Sequence, residues 1–475
     1  MKHVFLVVAI FLVPAGSCAQ SAQEQARQPI AISHVTVVDV RAGRTLPDQT
    51  VIISGDRITS VGKSADIALP ADANVINRSA KFLIPGLWDM HVHIAAPSYL
   101  PLLVANGVTG VREMHAFFPD TILQMRKSIN EGKQLGPRII AAGALIDGPK
   151  PLWPGSYSAG NEKEGREAVQ TLKRRGADFI KVYSKLPREA YFGIADEAKK
   201  EGMVFAGHVP ESVSAAEASD AGQKSMEHLV GLWVACSDRE AEIRKETVDL
   251  MTKADNQAVL LVMGRSQLKA QESFKKEKAD ALFAKFVKNG TWQVPTLTVL
   301  RALASLGDEQ FTSDSRVKYM PSFVKSMWNP DSPRIKSVRE RSDNMRQLFK
   351  GSLEMVKSMH QAGVRILAGT DTTNPYCFPG FSLHDELELL VKAGFTPAEA
   401  LQSATYNPAE YFDMLKDLGT VEKGKTADLV LLDANPLDDI SNTRRIAAVV
   451  VRGKVLTAEM IKKMLAEVEG QGVKK

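Results

Sequence analysis

Cysteine is scarce in this chain: Cys18, Cys236 and Cys377 are the whole complement of 475 residues. A scaffold held together by several disulfides is thereby excluded. Cys236 and Cys377 could form one bond in an oxidising compartment or stay as two thiols, and their sequence spacing does not choose between these. An excess of charge of one sign is also missing. Against 60 basic residues stand 55 acidic ones, a formal charge of +5. No basic stripe with interleaved aromatics is present, so no nucleic-acid partner is expected. Low-complexity tracts and short-period repeats are absent. Beyond the first residues there is no apolar run long enough to span a bilayer.

The one such run is N-terminal and short. Met1-Lys2-His3 precedes an apolar stretch over 4–13, and Pro14, Ala15 and Gly16 follow. A basic start, an apolar middle and small residues read as a signal peptide over 1–19, cleaved after Ala19 in Ser17-Cys18-Ala19. The protein is therefore expected to be exported, periplasmic or secreted. Lipidation at Cys18 is the alternative, and the only route by which a membrane becomes a partner. Ala15, three residues earlier, is smaller than the aliphatic usual before a lipidated cysteine. Residues 20–28 are polar and read as a leader.

Both ends of the remaining chain are β-rich. Strand patterns cover 32–40, 49–54 and 57–61, with Gly55-Asp56 as a hairpin turn. Similar runs cover 427–433 and 446–452, with Gly453-Lys454 turning next. The ends are expected to combine, as 30–82 plus 415–460, into one small β-sandwich domain. The middle, 83–414, alternates β-branched runs with helical stretches. Eight runs stand out: 83–93, 107–114, 138–146, 178–183, 204–209, 225–230, 293–300 and 364–370. Thr396-Pro397-Ala398-Glu399 is a capping box with proline at the first helical position. Eight units over roughly 320 residues fit a (β/α)8 TIM barrel, usually about 250 residues plus insertions. A doubly wound open sheet fits less well, because no glycine-rich phosphate loop follows the first strand. A helical insertion at about 301–360 follows strand seven, which places its start on the C-terminal face of the barrel. It reads equally as a substrate lid or a solvated insertion.

Side chains at i and i+2 of a strand share a face. His91 and His93, in Asp89-Met90-His91-Val92-His93, therefore point together from the end of the first strand, as a metal-binding pair would. Lys181 ends the fourth strand, His208 the fifth, His228 the sixth and Asp371 the eighth. That is the end at which barrel enzymes build their sites. Each taken alone is more often a satisfied histidine, a cap or an ion-pair partner. Together they would put four of nine histidines at strand ends by chance.

These residues, with Pro85-Gly86-Leu87-Trp88, Glu227-His228, Ala368-Gly369-Thr370-Asp371, Tyr406-Asn407-Pro408-Ala409 and Gly419-Thr420-Val421-Glu422-Lys423-Gly424, make the chain resemble the amidohydrolase superfamily. The likeness is to the secreted branch related to imidazolonepropionases and metal-dependent Xaa-Pro-type dipeptidases, and it spans about residues 30 to 460. The resemblance implies two divalent ions, zinc foremost. His91, His93 and Asp371 would hold one, and His208 and His228 the other. Lys181, N-carboxylated, would bridge both; a single ion with unmodified Lys181 is the alternative. It further implies attack of metal-bound hydroxide on a carbonyl, with Asp371 as general base and then acid.

Tyr183, two residues after Lys181 on the same face, is a candidate donor to the oxyanion. His115, just after the second strand, and His384, at the start of the helix after the eighth, are candidate substrate residues. The expected reaction is hydrolysis of a C–N amide bond in a dipeptide or N-acyl amino acid. The alternatives are a cyclic amide or lactone hydrolase, or an inactive exported binding protein on the same scaffold. No arginine, Arg112 included, stands out as a carboxylate clamp. Oligomeric state leaves no signature.

Overall fold

The computed structural model describes residues 28–116 and 118–471. The expected signal peptide and Cys18 lie outside the described residues. Among the described residues, no helix is long and apolar enough to cross a membrane.

The two ends combine as expected, in one eight-stranded sheet. Its strands are β1 (Ile30–Asp39), β2 (Arg44–Ser54), β3 (Arg57–Lys63), β4 (Asn74–Asn77), β5 (Phe82–Pro85) and, from the far end, Leu429–Leu432, Ile446–Val451 and Lys454–Thr457. A sandwich of two sheets was expected. Instead the C-terminal strands join β1 through β5, with Leu431 opposite Leu83 and Thr36 opposite Phe82. The sheet also curls, so that β3 at its edge meets the segment leading into Leu429–Leu432: Ile58 N–H donates to Lys425 O at 2.8 Å. One apolar core, including Val35, Val51, Ile58, Leu83 and Leu429, fills this curl.

The middle is α/β. The first expected strand divides at Gly86. β5 stays in the end sheet, and β6 (Leu87–Val92) begins a parallel run with β7 (Val108–Glu113) and β8 (Arg138–Ala141). A second parallel run contains β9 (Leu145–Asp147), β10 (Tyr157–Ser158), β11 (Ile180–Val182), β12 (Phe205–Gly207), β13 (Ser225–Glu227) and β14 (Trp292–Val294). Helices such as Glu162–Arg174, Arg188–Lys200 and Phe381–Lys392 intervene. The capping box at Thr396 and Glu399 forms as the sequence predicts.

Two expected strands differ. The seventh ends at Val294, because Thr296 takes a left-handed conformation (φ 47°) and a helix starts at Leu297. The eighth, 364–370, forms no strand. Its contacts are single parallel bridges, Gln293 with Ile366 and Val92 with Thr372. Asp371 turns left-handed (φ 56°), and its N–H goes back to His91 O at 2.8 Å, which ends any regular ladder. Gly369 allows this close approach: a Cβ there would lie 2.9 Å from His91 Cβ and 2.7 Å from Val294 Cγ1.

Strand alternation sorts the side chains. In β11, Ile180 and Val182 pack into a core shared with Ala190 and Ile194 of the helix Arg188–Lys200. Each such side chain contributes about 1.5–3 kcal/mol by burial. Lys181 between them faces the other way. The 301–360 segment is helical. Its Ala302, Met320, Val324 and Trp328 pack on Tyr376, Cys377 and Phe378, in the loop after Asp371. Trp328 Nε1 donates to Thr373 O at 3.2 Å.

Candidate metal centre

The six side chains that the sequence distributes over five expected strand ends meet in one place. His93 Nε2 lies 3.1 Å from Asp371 Oδ1, and His91 Nε2 lies 3.5 Å from the same oxygen. His91 Nε2 is 3.3 Å from Lys181 Nζ. His228 Nδ1 is 3.7 Å from Asp371 Oδ2, and the His208 and His228 rings are 5.0 Å apart. Donor atoms of His91, His228 and Asp371 all fall within 4.8 Å of one another.

Each histidine spends Nδ1 on the protein. His91 Nδ1 donates to Glu227 Oε2 at 2.8 Å and His93 Nδ1 to His115 O at 2.8 Å. His208 Nδ1 pairs with Ser184 Oγ at 2.7 Å. Thr296 Oγ1 gives its hydrogen to Pro295 O, so it accepts from His228 Nδ1 at 2.7 Å. For His91, His93 and His228 this arrangement sets the tautomer and leaves Nε2 to bind a cation. The donor set therefore fits a divalent metal: neutral imidazoles, a carboxylate and a lysine amine in a shielded space.

The electrostatics agree. Burial, then the Lys181 charge, holds His91 well below the usual imidazole range. Burial, then His228, does the same to His208. His228 falls to about 4, chiefly by burial. Burial also lowers the Lys181 ammonium to about 8. Burial alone would raise Asp371, but His228, His93 and Lys181 outweigh it and hold the carboxyl below its ordinary value. His228 and Asp371 both have positive φ, 58° and 56°. The left-handed region costs a non-glycine residue on the order of 1–2 kcal/mol, so the surrounding packing must hold both residues there.

Tyr183 reaches the site as expected. Its ring lies 4.0 Å from the His208 ring, and Lys181 Nζ is 5.7 Å from its centroid. His115 also borders it, 6.4 Å ring to ring from His93. Its nitrogens, however, engage backbone: Nε2 meets Pro154 O at 3.1 Å and Nδ1 accepts from Leu145 N–H at 3.3 Å. His384 is not brought to the site. Its ring lies between Thr443 Oγ1 (2.9 Å) and Asn106 O (3.1 Å), and the side chain is buried there. Its helix starts after the Asp371 loop, but this side chain turns to the Ile440–Arg444 turn and the end of the helix Tyr99–Ala105.

Two further residues matter that pattern reading did not assign. Glu227 not only holds His91 but also accepts both Arg112 Nη2 contacts, at 2.8 and 2.9 Å. Arg112, fully buried, also donates to Met90 O, Ser225 Oγ and Tyr411 Oη. It is a structural brace for the centre and cannot act as a substrate clamp. Alternation was the available signal, because Arg112, Ser225 and Glu227 all occupy inward positions of their strands. Cys236 and Cys377 are both free thiols, and both are buried.

This cluster of imidazoles, a carboxylate and a lysine sits on a parallel α/β frame. Residues 324–456 match the amidohydrolase family. The chain is 25% identical over 465 residues to the ochratoxinase of Aspergillus niger, covering 84% of this chain and 80% of that protein. A solved bottromycin amidohydrolase superposes with a TM-score of 0.71 at 21% identity, covering 94% of this chain and 91% of its own. A Xaa-Pro dipeptidase with methionine bound in its active site superposes with a TM-score of 0.64 at 22% identity, covering 90% of this chain and all of its own (100%). These neighbours imply a TIM-barrel-containing α/β fold.

Proposed function

We propose that this protein is an exported, metal-dependent hydrolase that cleaves a C–N amide bond in dipeptides or N-acyl amino acids. One observation carries the reading: His91, His93, Lys181, His208, His228 and Asp371 converge, with the tautomers of His91, His93 and His228 set for metal. The named activities of the neighbours, a Xaa-Pro dipeptidase and an ochratoxinase, support an amide substrate. Export rests on the N-terminal sequence pattern.

The frame is a closed (β/α)8 barrel, in which the segment 366–372 takes the eighth place. Its bridges to β14 and β6 support this, as do Leu367 N–H to Gln293 O and Met90 N–H to Ala368 O, both 2.9 Å. The barrel unit is 83–414 and the β-rich unit is 30–82 plus 415–460. His91, His93 and Asp371 would hold one zinc, and His208 and His228 a second. Lys181, once carboxylated on Nζ, would offer carboxylate oxygens to them. A lysine with its ammonium lowered to about 8 keeps roughly a tenth of its amine neutral at pH 7, and that neutral amine is the form that adds carbon dioxide.

Bound divalent ions supply Lewis-acid polarisation of the scissile carbonyl and acidify water. The chain's own groups do the rest. Asp371 takes a proton on its carboxylate and returns it to the leaving nitrogen. The Tyr183 hydroxyl donates to the oxygen on which charge develops. Burial of the surrounding walls strengthens both interactions.

The test is a free-amine release assay with mature protein, apo and zinc-loaded, over a library of dipeptides and N-acyl amino acids. Zinc-dependent release from at least one substrate is expected. Stoichiometric zinc without turnover on any amide would overturn the reading and leave a binding protein.

A further inference from the structure

The loop between β9 and β10, residues 148–156, crosses beside the centre and grips both side chains that flank it. Trp153 Nε1–H donates to Tyr183 Oη at 2.8 Å. One residue on, Pro154 O faces His115 Nε2 at 3.1 Å. The loop is braced at both ends. Asp147 accepts from Leu152 N–H at 3.0 Å and from Lys185 N–H at 2.8 Å, which ties its start to the chain after β11. Ser156 Oγ donates to Trp153 O at 2.7 Å. Asn256 Nδ2 reaches Pro151 O and Leu152 O from the helix Asn256–Glu272. Leu152 packs with Tyr183, Val230 and Met263 in one apolar cluster, against which Trp153 also lies.

A phenol carries one hydrogen and accepts through its oxygen. The indole N–H can only donate. A bond between them therefore has one polarity: Trp153 gives and Tyr183 receives. The Tyr183 hydrogen is not spent on this bond, and the bond fixes the direction of the oxygen. Tilted packing of the ring against His208, 4.0 Å between centroids, sets the other coordinate.

We propose that Trp153 is a positioning residue that aims the Tyr183 hydroxyl at the substrate carbonyl, with the loop 148–156 as its rigid mount. This deepens the hydrolase reading above and rests on it. No contact of Trp153 with substrate is required; its effect passes through Tyr183. Polarisation of the phenol by the indole N–H also strengthens the hydrogen bond that the phenol donates.

A double-mutant cycle with Trp153→Phe and Tyr183→Phe tests this, combined with indole 15N–1H spectra of the full chain. Trp153→Phe keeps a ring and removes the donor. It is expected to lower kcat about three- to tenfold, the scale of one lost hydrogen bond, with KM changed less than twofold. In the Tyr183→Phe background it should add almost nothing. Of the indole signals from five tryptophans, the one missing in Trp153→Phe should move upfield in Tyr183→Phe. Additive losses, a wild-type rate for Trp153→Phe where Tyr183→Phe is slow, or an unmoved indole signal would each overturn the proposal. A protein with no amidase activity would sink the hydrolase reading alone, while the indole spectra still decide whether the bond exists.

Discussion

Glu227 receives the Nδ1 hydrogen of His91 at 2.8 Å while its other oxygen is held by Arg112 at 2.8 Å, all three side chains being fully buried. The pair sets which nitrogen of His91 faces the cations, across 136 residues of sequence. Glu227→Gln should weaken zinc binding about 10- to 100-fold, read by competition with a graded chelator. A variant with wild-type zinc affinity would show that this acceptor does not tune the ligand.

Among the described residues, Asp371 is the one carboxylate that touches His91, His93 and His228 together. Asp371→Asn should reduce kcat by at least 10²–10⁴-fold, with zinc content measured on the same sample. A full rate in the variant would refute its role in proton transfer.

Lys181 is buried and 3.3 Å from His91 Nε2. Lys181→Ala should drop bound zinc below two ions per chain by elemental analysis, and carbon-dioxide-dependent reactivation should be absent. Two tightly held ions in the variant would remove the bridge from the mechanism.

Gly369 sits where a Cβ would come 2.7 Å from Val294 Cγ1 and 2.9 Å from His91 Cβ. Gly369→Ala should destabilise the fold by about 1–3 kcal/mol through overpacking and weaken zinc binding as well, because His91 is displaced. Denaturant unfolding and zinc titration check the two effects together.

Asp385 lies among three arginines: Arg301 at 2.8 Å, Arg316 at 3.0 Å and Arg444 at 2.6 Å. Burial would raise its carboxyl, but these charges prevail and hold it at about 2. Its folded pKa is thus depressed below the unfolded value of about 3.9. The stability it adds is present above pH 4 and is lost as pH falls from about 4 to about 2. Asp385→Asn should cost on the order of 2–3 kcal/mol at pH 7. The gap between variant and wild type should close over that window in urea unfolding. A gap that stays constant down to pH 2 would contradict the linkage.

Much of the centre was legible beforehand because strand alternation is local. His91 and His93 share a face by their spacing alone, and Lys181 faces inward because Ile180 and Val182 must face the helices. The α/β middle and the β-rich ends were legible for the same reason. His384 misled because position in a helix after a strand does not say which way the side chain turns. Here it faces Thr443 and Asn106. The eighth strand misled because an apolar run with a close-approach glycine can lie against its neighbours without forming a ladder.

From the sequence by itself came the periodic facts: which residues are ligand types, which strand they end, and which face they share with a neighbour two positions away. These follow from backbone geometry that repeats every two residues. The tertiary structure decided what each ligand leans on. Glu227 on His91, Thr296 on His228, Ser184 on His208 and Trp153 on Tyr183 are hydrogen bonds between different strands and loops. Such bonds depend on how the strands are brought together and on where the chain turns back at Thr296 and Asp371. No local period encodes that, because it is set by packing across the whole frame.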